Sequence, residues 1–367
     1  MILIKSGWTS ATRLQHKINI KSDHLATTTK TIESIFKDHN VNGRVREIHV
    51  GPVVNTYEFE VENRTPKARV KQLESWLAKA LFVPFIQITK PSGRSNRYFL
   101  EVPNRGQQRI HFSELVKHPV FQKVGDGALI FGVDAENEPV IIRLKDLPHL
   151  LIAGNNSPEK ALLIHSLLSS LEKSEASSVR ILLIDPKMTD FYGYKDHPHL
   201  LVPVVSDVVK AVLWIQWVEA EVAERLQHQA VRANSGKSRV KEKKKRLFGP
   251  PNLLIVINEL ADLMVEAGEV VTKAIKRIVR NGGQVGVHLI VGTQCPSETV
   301  VPEILRSDAV SQCAFQTASR SESVTILEKG GAEKLLGVGD GLLRLAGEGH
   351  VRRIFMPDLN NKSRKSG

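Results

Sequence analysis

Cysteine is nearly absent from this 367-residue chain: only Cys295 and Cys313 occur. Two thiols at no metal-ligand spacing exclude a disulfide framework and a cysteine-built zinc site, and they fit a reducing compartment, so a cytoplasmic location is expected. The thirteen histidines show no paired ligand spacing either, so no metal site is expected from them. No run of about 18 uninterrupted apolar residues marks a membrane span, and the opening "MILIKSGW" is too short for a signal peptide. A soluble protein with no membrane partner is expected. There is no internal repeat, and one basic run is the only segment of low complexity. What is present is ample apolar material: 41% of residues are apolar and 25% charged, enough for a full core divided into two or three globular parts. The formal charge of +12 points to a polyanionic partner only if the cations are clustered.

The chain divides by its patterning. Residues 1–28 carry no sustained periodicity and end in the polar "HLATTTK", which predicts a loosely held arm. Residues 29–105 read as a small α+β domain: a short helix, the strands "GRVREIHVG" and "VVNTYEFEV", the helix "KARVKQLESWLAKALF", then "FIQITK" and "RYFLEV". Residues 106–144 form a connecting region with a hairpin that turns on "DAENEP", and 358–367 form a polar tail. Residues 145–357 alternate helices with short, nearly continuous apolar strands: "HLLIAG", "VRILLID", "NLLIVINE", "VHLIVGT" and "QCAFQT". That pattern predicts an α/β fold with a mostly parallel sheet covered on both faces. In such sheets ligands sit beyond the carboxyl ends of the strands, where Gly154, Asp185, Asn258, Glu259, Thr293 and Gln294 fall.

The basic run answers the question of clustering. Residues 225–249 hold nine Lys or Arg against one Glu, a net +8 of the chain's +12. A solvated loop and a phosphate-contacting segment explain this equally well, because counterion release from DNA needs clustered cations and no base-reading geometry. The candidate DNA contacts here are Arg232, Lys241, Lys243, Lys244, Lys245 and Arg246.

The first strand of the larger part runs into an outline of a phosphate loop, GxxxxGK[ST]. The aligned residues are Gly154, Asn155, Asn156, Ser157, Pro158, Glu159, Lys160 and Ala161. The first glycine and the lysine match. Glu159 replaces the second glycine with a bulky anion, Pro158 removes a backbone donor, and Ala161 has no hydroxyl for Mg²⁺. The strand "LLIVINEL" ends in Asn258 and Glu259 where a magnesium-holding aspartate and a water-activating base would stand, so an amide replaces the charge while the base remains.

With "GPVVNTYEFEV", "KARVKQLESWLAKAL", "PHLLIAG", "LLIDPKM", "HPHLLVPVVSD", "IVINELADLM", "GVHLIVGTQCPS" and "TILEKGGAEKLLGVGDGLL" in this order, residues 29–357 resemble the FtsK/SpoIIIE family of DNA translocases. The resemblance implies an alpha domain followed by a RecA-like P-loop motor domain. It further implies a hexameric ring around double-stranded DNA, and ATP with Mg²⁺ as cofactors. The family's N-terminal membrane spans and C-terminal winged helix have no counterpart, which implies a bare motor. The family's arginine finger corresponds to Gln312, and "TQRP" corresponds to "TQCP", which keeps the sensor-like Gln294 before Cys295. In the DNA-facing loop Val324 replaces an arginine, whereas Lys334 persists.

Two expectations follow. In a divergent ATP-driven translocase, Lys160, Glu259, Gln294 and Asp185 form a reduced site, with Asp185 standing in for the lost metal carboxylate. In an inactive ring subunit or DNA clamp, homomeric or beside a competent relative, the fold persists and hydrolysis is weak or lost. A protein-export ATPase ranks last, because the alpha-like domain favours the DNA branch. The sum of the replacements favours negligible hydrolysis.

Overall fold

The computed structural model describes residues 3–6 and 14–359 apart from 52, 63, 84–85, 91–95, 105–109, 156, 176, 235–250 and 338; for 3–6, 14–23, 157 and 232–234 it describes the backbone only. By contact the chain divides into two units, residues 1–110 with 133–139, and residues 111–132 with 140–367.

In the first unit, alternation along the strands sorts apolar residues to one side. Strands β1 (Leu3–Ser6), β2 (Gly43–Val50), β3 (Val54–Val61), β4 (Gln87–Thr89) and β5 (Arg97–Pro103) pair in the order β1-β2-β3-β5-β4. All neighbours are antiparallel except β1 with β2. Val45, Ile48, Tyr57, Phe59, Tyr98 and Leu100 form a core with helices α1 (Leu14–Asp38) and α2 (Lys67–Ala80), which bring Leu25, Ile32, Phe36, Val70, Leu73 and Leu77.

The N-terminal segment departs from expectation. Where the sequence predicts an arm over residues 1–28, the chain forms β1 and the first half of α1. The polar run hides the helix because two threonines occupy its inner face: Thr28 and Thr29 are buried between Leu25 and Ile32. The Thr29 hydroxyl donates to the Leu25 carbonyl at 2.8 Å, four residues back, so burying it leaves no donor unmet. The expected connector also differs. It carries α3 (Phe112–Lys117) and α4 (Pro119–Val124), and its hairpin strands β6 (Ala128–Asp134) and β7 (Pro139–Arg143) join the large sheet. Asp134 caps the turn, its carboxylate accepting from Glu136 N and Glu138 N.

The second unit continues with β8 (His149–Ala153), α5 (Ser157–Leu171), β9 (Val179–Ile184), α6 (Val208–Asn234), β10 (Asn252–Ile257), α7 (Leu260–Asn281) and β11 (Val287–Thr293). It closes with β12 (Ser311–Ala314), α8 (Arg320–Leu327), β13 (Asp340–Arg344) and β14 (Arg352–Phe355). The nine-stranded sheet has the order β7-β6-β14-β13-β12-β8-β11-β10-β9, and its run from β12 to β9 is parallel throughout. β12–β13 and β13–β14 are antiparallel. Alternate residues feed two separate cores: Leu151 and Ala153 pack with α6 and α7, Leu150 and Ile152 with α5. Burial on both faces is the reason these strands are continuous apolar runs. Because β8 lies between β11 and β12, the strand that ends two residues before Cys295 and the strand that holds Cys313 are not neighbours. Gly132 is required where β6 meets β14: its φ is +127°, and a Cβ there would lie 2.0 Å from the Phe355 carbonyl oxygen.

No helix among the described residues is long and apolar enough to cross a membrane.

Candidate nucleotide site at the carboxyl edge of the sheet

Parallel pairing of β8, β9, β10 and β11 brings their carboxyl ends to one edge. The residues that follow, Gly154, Asp185, Asn258 with Glu259, and Thr293 with Gln294, therefore converge there as the strand pattern predicts.

The loop after β8 is short. Only Gly154, Asn155 and Asn156 separate Ala153 from Ser157, where α5 begins. Ser157, Pro158 and Glu159 are thus wound into the helix rather than left in an open loop whose successive amides could face phosphates. Pro158 suits a helix start, since its missing N–H is one that the first turn cannot use. The Asn155 N–H is already bonded to the Gln316 carbonyl at 2.9 Å. Gly154 has its own packing reason: a Cβ there would lie 2.8 Å from that of Phe315, so only glycine lets β8 leave the sheet beside β12. Glu159 and Ala161 are buried, and Ala161 offers no oxygen. Asn156 and the Ser157 side chain lie outside the described residues.

Lys160 is 0% exposed. Its ammonium donates to the Asn258 carbonyl at 2.6 Å and to Glu259 Oε2 at 3.4 Å, which ties α5 to the end of β10. Glu259, expected as the water-activating base, is a hub. It accepts from Thr293 Oγ1 at 2.7 Å, Gln294 N at 2.9 Å and Ala261 N at 3.2 Å, the last of these capping α7. Both carboxylate oxygens are thereby engaged. Gln294, expected as a sensor, is exposed and contributes its backbone N–H to that hub. Gly292 makes room for the arrangement: a Cβ on it would lie 2.4 Å from the Asn258 carbonyl oxygen and 3.0 Å from Lys160 Cδ.

A second cluster lies beside the first. Asp185, expected as a substitute metal ligand, accepts through Oδ2 from the amides of Asp190 and Phe191 at 3.0 and 3.1 Å, shaping its own loop. The Asn258 side-chain amide donates to Asp190 Oδ2 at 2.7 Å and to Asp185 Oδ1 at 3.2 Å, with Thr189 Oγ1 at 3.3 Å. An N–H₂ group therefore occupies the place between two carboxylates where a cation shell needs an oxygen ligand. Nearby, Asp262 holds the Lys187 ammonium above its ordinary pKa through a 2.8 Å ion pair.

Sequence reasoning missed Thr189, Asp190 and Gly292. Asp190 had a signal available, a second carboxylate five residues after Asp185 in a polar loop; Gly292 had none, since its need arises from the approach of β10 and α5. The asparagine explains how the two carboxylates coexist, and Asn258→Asp should show it. A third carboxylate there replaces a donor by a repelling acceptor, which we expect to cost about 1–3 kcal/mol in EDTA and to be recovered by millimolar Mg²⁺. The check is the thermal midpoint with and without the ion; equal midpoints for variant and parent in EDTA would sink the idea.

Gln312, at the expected finger position, is 0% exposed in the middle of β12. Its amide donates to the Ser307 carbonyl at 3.0 Å and accepts from Arg344 Nε at 2.9 Å, so it serves its own sheet. Arg344 also pairs with Asp308 and Glu328. Lys334 is half-buried in a short 3₁₀ turn after α8, and Val324 is exposed on α8. Lys241, Lys243, Lys244, Lys245 and Arg246 lie outside the described residues; Arg232 is on α6, with its side chain outside them.

Comparison with known proteins accounts for this combination of units. A family model for the FtsK/SpoIIIE family matches residues 114–298, and one for the FtsK alpha domain matches 11–104. The DNA translocase FtsK of Staphylococcus aureus (strain Mu50 / ATCC 700699) is 33% identical over 336 residues, 89% of this chain and 42% of that protein. That of Campylobacter jejuni subsp. jejuni serotype O:2 is 34% identical over 347 residues, 94% of this chain and 37% of that protein. The chain thus spans less than half the length of these relatives. Among solved structures, the pCW3 conjugation coupling protein TcpA, in its monomer form with ATPγS, superposes with a TM-score of 0.60 at 17% identity, covering 90% of this chain and 95% of that one. The cytoplasmic domain of the Thermomonospora curvata Type VII secretion ATPase EccC gives 0.56 at 20% identity, covering 70% and 33%. These likenesses show a shared P-loop ATPase fold. On the family matches over both units, the chain belongs to the FtsK/SpoIIIE family.

Proposed function

We propose that this chain is a double-stranded DNA-binding, ring-forming module of its family in which ATP hydrolysis is weak or lost. The observation that carries the proposal is Lys160: the cation that should meet phosphate is fully buried and bonded to Asn258 and Glu259 of its own chain. Three further features support it. The helix start at Ser157 closes the loop, Ala161 brings no magnesium ligand, and Asn258 presents a donor toward Asp185 and Asp190. These residues do not fit Mg²⁺–ATP in the way a phosphate loop holds it. The DNA side rests on membership of a family whose matched relatives are named DNA translocases, and on the basic run 225–249 with Lys334.

The buried Gln312 favours one refinement. A subunit that offers its neighbour no arginine at this position suits a ring in which it stands beside a competent relative, although a homomeric clamp fits the same residues. A protein-export role is not favoured, because the first unit matches the FtsK alpha domain.

Pure protein should hydrolyse ATP negligibly with Mg²⁺, with or without duplex DNA, and should bind duplex DNA with an affinity that falls steeply as salt rises. Mg²⁺-dependent, DNA-stimulated turnover of order 1 per second would overturn the first half. Absent or salt-insensitive duplex binding would overturn the second.

A further inference from the structure

The first unit gathers three ligand-type side chains that no sequence spacing announces. Glu47 and His49 stand two apart on β2, hence on one face, and Glu58 lies directly across from Glu47 on β3. Each offers one ligand atom within 4.8 Å of the others, and among the described residues this is the one cluster of its kind. A β-bulge produces it. Arg46 is the extra residue between Val45, opposite Phe59, and Glu47, opposite Glu58. The bulge lets Val45 stay in the core while Glu47 and His49 face the other side; in an unbroken strand all three would share a face.

Two carboxylates directly opposed across a strand pair repel, which calls for a cation. Arg97 supplies part of it, its guanidinium donating to Glu58 Oε1 at 2.7 Å. In a metal site this is also the hydrogen bond that orients a ligating carboxylate. A separate observation points the same way. Thr56, directly across from His49 and two residues from Glu58 on the same face, is buried, and among the described residues its hydroxyl has no hydrogen-bond partner. A buried hydroxyl without a partner is costly, and water on a neighbouring ion would satisfy it.

We propose that Glu47, His49 and Glu58 form a binding site for a divalent cation of the zinc class, clamping β2 to β3. One imidazole nitrogen with two carboxylate oxygens is a borderline donor set: it suits Zn²⁺ and disfavours Mg²⁺ and Ca²⁺, which take oxygen ligands only. Three protein ligands leave a position for water, the one Thr56 would meet. The site lies within the segment matched to the FtsK alpha domain and does not depend on whether ATP is used.

The test is calorimetric titration of the full chain with ZnCl₂, free of nucleotide. One stoichiometric site is expected, with affinity lowered by more than about 100-fold in His49→Gln and again in Glu58→Gln, which keeps an acceptor for Arg97, since losing a ligand costs more than the roughly 10- to 100-fold of losing an outer partner. Zinc should raise the unfolding midpoint of the parent and not of His49→Gln, and Mg²⁺ at the same concentration should do neither. Absence of a stoichiometric site, or equal affinity in the parent and both variants with the ion held by other histidines, overturns the proposal.

Discussion

Replacing Lys160 with methionine should lower the unfolding midpoint of the larger unit by roughly 10 °C, an effect of about 3–5 kcal/mol. The side chain keeps its apolar length, so the loss is that of the charge. Without the ammonium, the carbonyl of Asn258 loses its donor and the mostly buried carboxylate of Glu259 loses its counterion. A partner charge left behind in a poorly solvated place is the costly part. The double variant Lys160→Met, Glu259→Gln should therefore recover a share of the stability, since the amide can still accept from Thr293 while carrying no charge. Lysine serving phosphate predicts the opposite pattern: a midpoint unchanged in the absence of nucleotide, with protection by ATP abolished. Thermal unfolding of the two variants beside the parent separates the cases.

Acid should destabilise the fold well above the range where carboxylates titrate. Burial lowers His149 from 6.5 to about 3 and His288 from 6.5 to about 4, so both are neutral in the folded chain. In the unfolded chain they return to ordinary values near 6.5. Above that pH neither state binds the proton, and the two histidines contribute no slope. As pH falls below about 6.5, the unfolded chain takes up protons that the folded chain refuses, so stability declines. The decline continues until pH 3 to 4, where the folded imidazoles protonate in turn. Over this window His149 contributes up to about 5 kcal/mol and His288 up to about 3.5 kcal/mol, taking one pKa unit as about 1.4 kcal/mol. Denaturant unfolding at a series of pH values should show the slope between pH 6.5 and 4.5, and His288→Leu should flatten it by one proton. An unchanged slope in that variant would mean that His288 is hydrated in the folded state.

The large sheet was legible because "HLLIAG", "VRILLID", "NLLIVI" and "VHLIVGT" are buried on both faces, a condition that leaves the same signature in any sequence. The strands β13 and β14 were less visible, since each carries polar residues satisfied only by the fold: Arg353 and Asp340 pair across them at 2.6 Å, buried together. Only the second half of helix α1 is legible as a helix; its first half is hidden for the same reason, the inner face being built partly of threonine. At the carboxyl edge of the sheet, composition told which groups are present and which are replaced, and strand ends told where they gather. It could not tell where each donor is spent, because Lys160 could equally have faced outward.

By itself the sequence determined the α/β class, the carboxyl edge where the candidate site lies, and the replacements Glu159, Ala161, Asn258 and Gln312. These follow from residue identity and periodicity, which are local. Only the tertiary structure decided that Lys160 is bonded inward, that Glu259 is a structural hub, that Asn258 joins Asp185 to Asp190, and that Glu47, His49 and Glu58 meet across a bulge. Each of these depends on groups brought together from distant parts of the chain, and a hydrogen bond or ion pair goes to whichever partner the packing places within about 3 Å.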